Sequence, residues 1–364
     1  MKITSLDVFR FNLPFVKALF LKRRAFQKRQ GLILRLTTAN GLEGLGEISP
    51  LPGFSQESLE EAQNQVLWLK SRILNQTIPP HGGQFSESLE RWLGPYNLYP
   101  SVRFGIEGAV LNLLAQRKGI AFHRLLGASG ETPIPLIGLL EGSLEAVTKE
   151  TRRLFQKGVR TFKLKVGRGN VSEDLRRIEQ IKKLVGPGTL RLDANQSWSF
   201  KEALNFARLL PQDGIEYIEE PFKNPSSAKI RDFFQTTGIP VAWDESLMKM
   251  SPRDLKAVPG LKAIILKPTL LGGMEEALCF IRKARTLGIT PIVSSSFESG
   301  VGLLTLAHLA LANGCYAGLD TLKWFEEDLV CPGKRIRLEE GCLTISPEPL
   351  KKKDLNWKLL EGIS

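Results

Sequence analysis

Histidine and cysteine are scarce in this sequence, at 3 and 4 of 364 residues. The cysteines Cys279, Cys315, Cys331 and Cys342 fall late, with no Cys-x-x-Cys pair. That excludes a disulfide framework and a thiolate zinc site, and reads as free thiols in a reducing cytoplasm. No Gly-x-Gly-x-x-Gly turn is present to bind a dinucleotide. Long apolar runs are missing as well. The longest, near Gly302 to Ala312, contains His308 and is too short to span a bilayer. The opening segment carries charges inside its apolar stretch and no small-residue cleavage site, so it does not read as a signal peptide.

Acidic residues fall short of basic ones, 38 against 50, and the formal net charge is +12. Two places concentrate the excess: Lys17 to Arg29, with six bases and no acid, and Lys351-Lys352-Lys353. A solvated basic surface accounts for this, and so does a basic loop that attracts a small anion. Nucleic-acid binding is the weakest reading, because no basic helix with interleaved aromatics is present. The partner expected from the charge is a small anion rather than nucleic acid or membrane, and a homo-oligomer is left open.

From residue 134 to 320 short apolar strands alternate with amphipathic helices. The strand candidates are Ile134–Leu140, Thr161–Val166, Leu190–Ala194, Tyr217–Glu220, Pro240–Asp244, Ala263–Lys267, Pro291–Ser295 and Tyr316–Asp320. Eight segments, each ~25 residues from the next, suggest a parallel α/β barrel, with an open doubly wound sheet as the alternative. Ser199-Phe200-Lys201-Glu202 reads as a capping box and Ser251-Pro252 as a helix start. Gly158, Gly238 and Gly288 sit where helices should end. Before this region, Thr4–Leu13 and Leu32–Thr38 look like antiparallel strands, followed by helices near Ser55–Ile73 and Ser101–Arg117. Together they form an α+β unit. The last 40 residues include strand-like pieces such as Arg335–Leu338, expected to pack back on that unit.

Active sites of parallel barrels lie at the C-terminal ends of the strands. On the second strand Lys163 and Lys165 alternate with Phe162, Leu164 and Val166, which turns both lysines toward the interior. Burial and a neighbouring cation disfavour the charged form, so an amine there becomes a usable base. The third strand ends Asp193-Ala194-Asn195, the fourth Glu219-Glu220-Pro221 and the fifth Asp244-Glu245-Ser246. Carboxylates converging on one mouth repel unless a cation sits among them, and oxygen-only ligands favour Mg²⁺ or Mn²⁺. Alternation does not decide between Glu219 and Glu220, or between Asp244 and Glu245. The sixth strand ends in Lys267, across the barrel from the lysine pair.

The ordered set Lys163-x-Lys165, Asp193, Glu219, Asp244 and Lys267 resembles the enolase superfamily, in its muconate-lactonizing-type branch. Sites of that superfamily combine a lysine or histidine base with Mg²⁺. The resemblance covers almost the whole chain. It implies a (β/α)7β TIM-like barrel at residues 131–324 and an N-terminal α+β capping domain at residues 1–130, completed by a C-terminal return at 325–364. Within the branch, the segments Gly46–Glu57, Pro100–Gly105, Ser294–Ser299 and Gly318–Thr321 look like those of its dehydrating members. The resemblance makes Asp193, Glu219 and Asp244 the ligands of Mg²⁺, with Mn²⁺ as a substitute, and places Asn195 and Glu220 behind them. It makes Lys165 the base, kept neutral by Lys163, and Lys267 a cation that stabilises an enolate. It makes Arg191, Ser294 and Gly318 substrate contacts, and the basic stretch Lys17–Arg29 a lid. The implied activity is a metal-dependent syn-dehydration beside a carboxylate. A racemase or epimerase on the same scaffold is the alternative. A non-catalytic basic binding protein is a third reading, which gives no reason for lysines to end apolar barrel strands.

Overall fold

The structure is a computed structural model and describes residues 1–21, 24–79, 88–127, 133–186, 188–211 and 213–363. Eight parallel strands follow one another around a sheet in chain order: Ile137–Leu140, Thr161–Lys165, Thr189–Asp193, Ile215–Glu219, Val241–Trp243, Leu261–Leu266, Thr290–Ser294 and Tyr316–Gly318. A parallel bridge between Leu136 and Ala317 joins the first strand's approach to the last strand. The sheet is thus closed into a barrel and is not the open alternative.

Side-chain alternation divides each strand between two environments. On the second strand Phe162 and Leu164 are buried against the helix layer, while Lys163 and Lys165 face inward. Ile137, Tyr217, Ala242, Ala263, Ile265 and Ile292 fill the interior below the lysines. The barrel is therefore a packed core with a polar top, not a pore.

Helices Leu144–Gln156, Val171–Val185, Phe200–Leu209, Ser227–Thr237, Met274–Thr286 and Gly300–Ala312 surround it. The expected capping box forms: Ser199 Oγ accepts from Glu202 N at 3.3 Å, and Glu202 Oε2 accepts from Ser199 N at 2.7 Å. Gly158, Gly238 and Gly288 have φ of +90°, +71° and +70°, the left-handed conformation that ends helices. The expected helix at Ser251-Pro252 is absent. Asp254 Oδ2 accepts from Ser251 N at 2.9 Å and from Ser251 Oγ at 2.8 Å, which closes a turn instead. Pro259-Gly260 then leads directly into the sixth strand, so the fifth crossover has only the short 3-10 helix Glu245–Lys249.

In the N-terminal region, strands Ile3–Leu21, Arg24–Thr38 and Glu43–Ile48 form an antiparallel sheet. Leu360–Ile363 returns from the other end of the chain to pair with the first of them, Ile363 opposite Val8. Leu32, Leu34 and Leu36 face helices Leu59–Ile73 and Pro100–Lys118. Ile33 points the other way, into a second cluster with Phe11, Val301, Leu304 and Trp324 that joins this sheet to the barrel. The boundary expected at 130/131 lies outside the described residues.

The basic stretch read as a lid loop is mostly a hairpin. The first two strands run on past Pro14 and remain paired at Leu19–Phe26, Phe20–Ala25 and Leu21–Arg24. Lys22 and Arg23 lie outside the described residues. Val16 and Phe20 are exposed, while Leu19 is buried, so alternating apolar residues carry the strands beyond the expected end at Leu13.

Helix Pro100–Lys118 lies unusually close to strand Glu43–Ile48 because glycines face each other. A Cβ on Gly46 would lie 1.9 Å from the carbonyl oxygen of Gly105. Gly46→Ala therefore forces the helix off the sheet and should lower stability by about 1–3 kcal/mol, measured as a fall in the urea midpoint. An unchanged midpoint would contradict this packing.

Candidate active site

Strand register assembles the site. Lys165 pairs with Asp193 across strands two and three, and Asp193 pairs with Glu219 across strands three and four. The three side chains therefore stand in one row at the C-terminal edge. Lys163 Nζ bridges two acids, 2.7 Å from Glu219 Oε1 and 2.9 Å from Asp193 Oδ2. Lys165 Nζ lies 2.6 Å from Asp193 Oδ2 and 2.8 Å from Asn195 Oδ1. From the opposite wall, Lys267 Nζ donates to Asp244 Oδ2. Asp193, Glu219 and Asp244 are buried.

The structure resolves both choices that alternation left open. Glu219 faces the lumen. Glu220 follows it with φ +42° and turns away. Its Oε1 accepts from Asp244 N at 2.9 Å and Ser246 N at 2.8 Å, and its Oε2 from Ser246 Oγ and Gln196 Nε2, both at 2.9 Å. Glu220 thus shapes the end of strand five. Asp244 meets Lys267, whereas Glu245 Oε1 accepts from Asn195 Nδ2 at 2.9 Å. Asn195 also donates its backbone N–H to Asp193 Oδ1 at 3.0 Å, so it links Lys165, Asp193 and Glu245.

The electrostatics differ from expectation at Lys163. Burial disfavours its ammonium, but Asp193, Glu219 and Asp244 outweigh burial and hold its pKa well above the usual lysine value. Lys267 behaves alike: burial opposes its charge, and Asp244 and Glu245 raise its pKa. Burial also opposes the charge on Asp193, yet Lys163 and Lys165 hold its carboxyl below the ordinary range. Burial and then the Asp193 charge push Glu219 well upward. Burial and the Glu245 charge push Glu220 up to about 7. Repulsion between lysines is thus the smaller effect at Lys163, because each ammonium touches a carboxylate.

Among the described residues no three acidic, histidine or cysteine side chains are closed up as a metal cage. Ammonium nitrogens stand between the carboxylates. The donor set nevertheless suits a hard divalent cation: carboxylate oxygens from three adjacent strand ends, with Glu219 Oε2 buried and receiving no hydrogen bond. Asp193, Glu219 and Asp244 could hold such an ion if the lysines yield their contacts.

Above this cluster opens a cleft of about 1160 Å³, lined by Lys165, Asn195, Glu245, Lys267, Phe297 and residues of the hairpin tip. A deeper chamber of about 100 Å³ includes Lys163, Ser294 and Gly318. Ser294 Oγ donates to the Gly318 carbonyl at 3.2 Å. Arg191 is elsewhere. It shares a face with Asp193 but sits two residues nearer the barrel floor, where Nε donates to Glu216 at 2.7 Å and the guanidinium lies over Tyr217 and Tyr316. The position expected as a substrate contact therefore braces the floor. From the sequence Glu245 was only an open alternative to Asp244, and Phe297 was not singled out. The acid doublet at 244–245 was a signal for the first, and no local pattern marks the second.

Residues 146–349 match the family described as enolase C-terminal domain-like, and residues 3–113 match the MenC N-terminal domain. The chain is 33% identical over 331 residues to o-succinylbenzoate synthase of Klebsiella pneumoniae (strain 342), covering 90% of this chain and 93% of the relative. It is 32% identical over 332 residues to the enzyme of that name from Haemophilus influenzae, covering 88% and 91%. Among solved structures it resembles the L-Ala-D/L-Glu epimerase of Bacillus subtilis, with TM-score 0.84, 24% identity and coverage of 96% and 98%. A dipeptide epimerase of Methylococcus capsulatus, complexed with Mg and the dipeptide L-Arg-D-Lys, gives TM-score 0.82, 27% identity and coverage of 96% and 98%.

Glu220→Ala leaves the backbone N–H groups of Asp244 and Ser246 without their acceptor, whereas Glu220→Gln keeps one oxygen to serve them. Urea unfolding should find the alanine variant less stable than the glutamine variant by about 1–3 kcal/mol. Equal stabilities would show that Glu220 does not hold this turn.

Proposed function

The chain belongs to the o-succinylbenzoate synthase family of the enolase superfamily, and from that premise we propose how its residues carry out the reaction. The substrate is 2-succinyl-6-hydroxy-2,4-cyclohexadiene-1-carboxylate, and syn-dehydration converts it to o-succinylbenzoate, a step of menaquinone biosynthesis. The carrying observation is the likeness to enzymes of that name along nine-tenths of the chain, cap and barrel together. The epimerase likeness speaks to the fold. An N-succinylamino acid racemase or dipeptide epimerase remains the alternative chemistry for this scaffold. We assign catalysis to the barrel, residues 131–324, and substrate closure to residues 1–130 with the return at 325–364.

Asp193, Glu219 and Asp244 would hold Mg²⁺, or Mn²⁺ in its place. The bound ion supplies positive charge against the substrate carboxylate, where charge grows as the neighbouring carbon loses its proton. Lys165 is the base. Its Nζ lies 2.6 Å from Asp193 Oδ2 and 2.8 Å from Asn195 Oδ1, on the wall of the cleft. Lys165 takes the proton from the carbon next to the carboxylate and returns it to the departing hydroxyl on the same face. Water leaves and the ring becomes aromatic. Lys267 stays protonated between Asp244 and the cleft and stabilises the enolate from the opposite wall. Asn195 orients Lys165 and Asp193. Glu220 keeps Asp244 in place through its backbone. Ser294 and Gly318 face the substrate from strands seven and eight.

Product analysis with the cyclohexadiene substrate and Mg²⁺ tests the reading, and o-succinylbenzoate is the expected product. Activity should vanish with a chelator and return with Mg²⁺ or Mn²⁺. Asp193→Asn, Glu219→Gln and Asp244→Asn should each weaken Mg²⁺ binding by ~100-fold, and Glu220→Gln by ~10-fold or less. Full turnover in a chelator-treated, metal-free sample would contradict the metal's role, and a racemised amino acid with no dehydration product would favour the alternative.

A further inference from the structure

Arg29 ends the basic stretch Lys17–Arg29, yet it is only 3% exposed. Its hydrogen-bond partners are backbone carbonyls. Nε donates to Phe297 at 2.9 Å, Nη1 to Pro50 at 2.8 Å and to Gln30 at 3.2 Å, and Nη2 to Ser49 and to Ser296, the latter at 3.4 Å. Glu298 and Glu47 act on it through their charge. Placing a guanidinium among neutral carbonyls carries a desolvation cost, and only the planar fork of arginine reaches several acceptors at once.

The three segments it joins are far apart in sequence, and all of them line the cleft. The hairpin contributes Phe20 and Leu21, the loop after Pro50 contributes Leu51 and Phe54, and the turn after strand seven contributes Phe297. Phe297 has φ +60°, which is uncommon for a residue with a bulky side chain. Its ring packs edge-on against Phe15 at 6.3 Å and Trp324 at 5.8 Å. The Glu298 carboxylate steadies the same turn, accepting from Ser296 N at 2.6 Å and Thr269 Oγ1 at 2.5 Å.

We propose that Arg29 is a positioning residue whose guanidinium locks Phe297 and the Leu51 loop into one apolar wall. That wall holds the ring of a cyclic carboxylate while its carboxylate lies at the lysine cluster. The choice of ligand rests on the function proposed above. Arg29→Lys keeps the charge and loses the fork. Phe297→Ala removes the wall and leaves the guanidinium in place.

Calorimetric binding of o-succinylbenzoate in the presence of Mg²⁺, together with kcat and KM, separates the outcomes. Arg29→Lys and Phe297→Ala should each raise Kd and KM about tenfold with kcat within about threefold, and the double variant should add little to either alone. A purely structural role would lower the thermal midpoint and the active fraction without moving the KM of the folded remainder. Unchanged Kd and KM in folded Arg29→Lys, or fully additive effects, would overturn the proposal. If Arg29→Lys fails to fold, unchanged affinity in Phe297→Ala overturns it alone. Wild type that yields no o-succinylbenzoate would instead contradict the reaction. Wild type that turns over beside an Arg29→Lys variant with unaltered binding would contradict only the role of Arg29.

Discussion

The Lys163 ammonium, wedged between Asp193 and Glu219, is the contact on which the rest of the site depends. Two buried carboxyl groups on adjacent strands cannot both be ionised in a lumen of low dielectric without a positive charge between them. Removing one partner of such a buried group typically costs about 3–5 kcal/mol. Barrel register makes the arrangement unavoidable, since paired positions on strands two, three and four bring Lys165, Asp193 and Glu219 into one row. Lys267 answers Asp244 from the other wall. Lys163, Lys165 and Lys267 thereby hold the acids in one cluster at the mouth of the barrel.

Gathered charge needs a roof, and that roof comes from both ends of the chain. The strand Leu360–Ile363 completes the N-terminal sheet. The close glycine contact between Gly46 and Gly105 keeps the sheet tight on its helix. Glu47, on the same strand, accepts from Ser299 N at 2.9 Å, from Ser299 Oγ at 2.6 Å and from Gly302 N at 2.8 Å. It thus caps the helix that begins just after the strand-seven turn. Its carboxylate suits the positive end of that helix. Glu47 thus ties the N-terminal sheet to the turn after strand seven, and the hairpin reaches from that sheet to the cleft.

Much of this was legible in the sequence, because the signals were local. Each barrel strand is a short apolar run with turn residues on either side, and Phe162, Leu164 and Val166 announced the inward lysines by simple alternation. Ser199 and Glu202 capped their helix as their spacing implies. What escaped was decided at a distance or by unusual backbone. Alternation cannot separate Glu219 from Glu220 because the chain turns to positive φ at Glu220. Ser251-Pro252 has a helix-start pattern, but the Asp254 carboxylate captures Ser251 first. Arg191 has the right face and the wrong depth. Arg29 looks like any exposed base until the folded chain brings three sets of carbonyls around it.

The central claim is a division of labour: the second strand holds the base and the sixth holds a permanent cation. Exchange of the substrate α-proton with deuterated solvent, followed beside dehydration in Lys165→Ala, Lys267→Ala and Lys267→Arg, tests it most directly. Lys165→Ala should lose exchange and dehydration together. Lys267→Ala should be severely impaired through lost charge, with part of the activity kept in Lys267→Arg. Efficient dehydration by Lys165→Ala, together with selective loss of proton abstraction in Lys267→Ala, would put the base on the other wall and contradict the account.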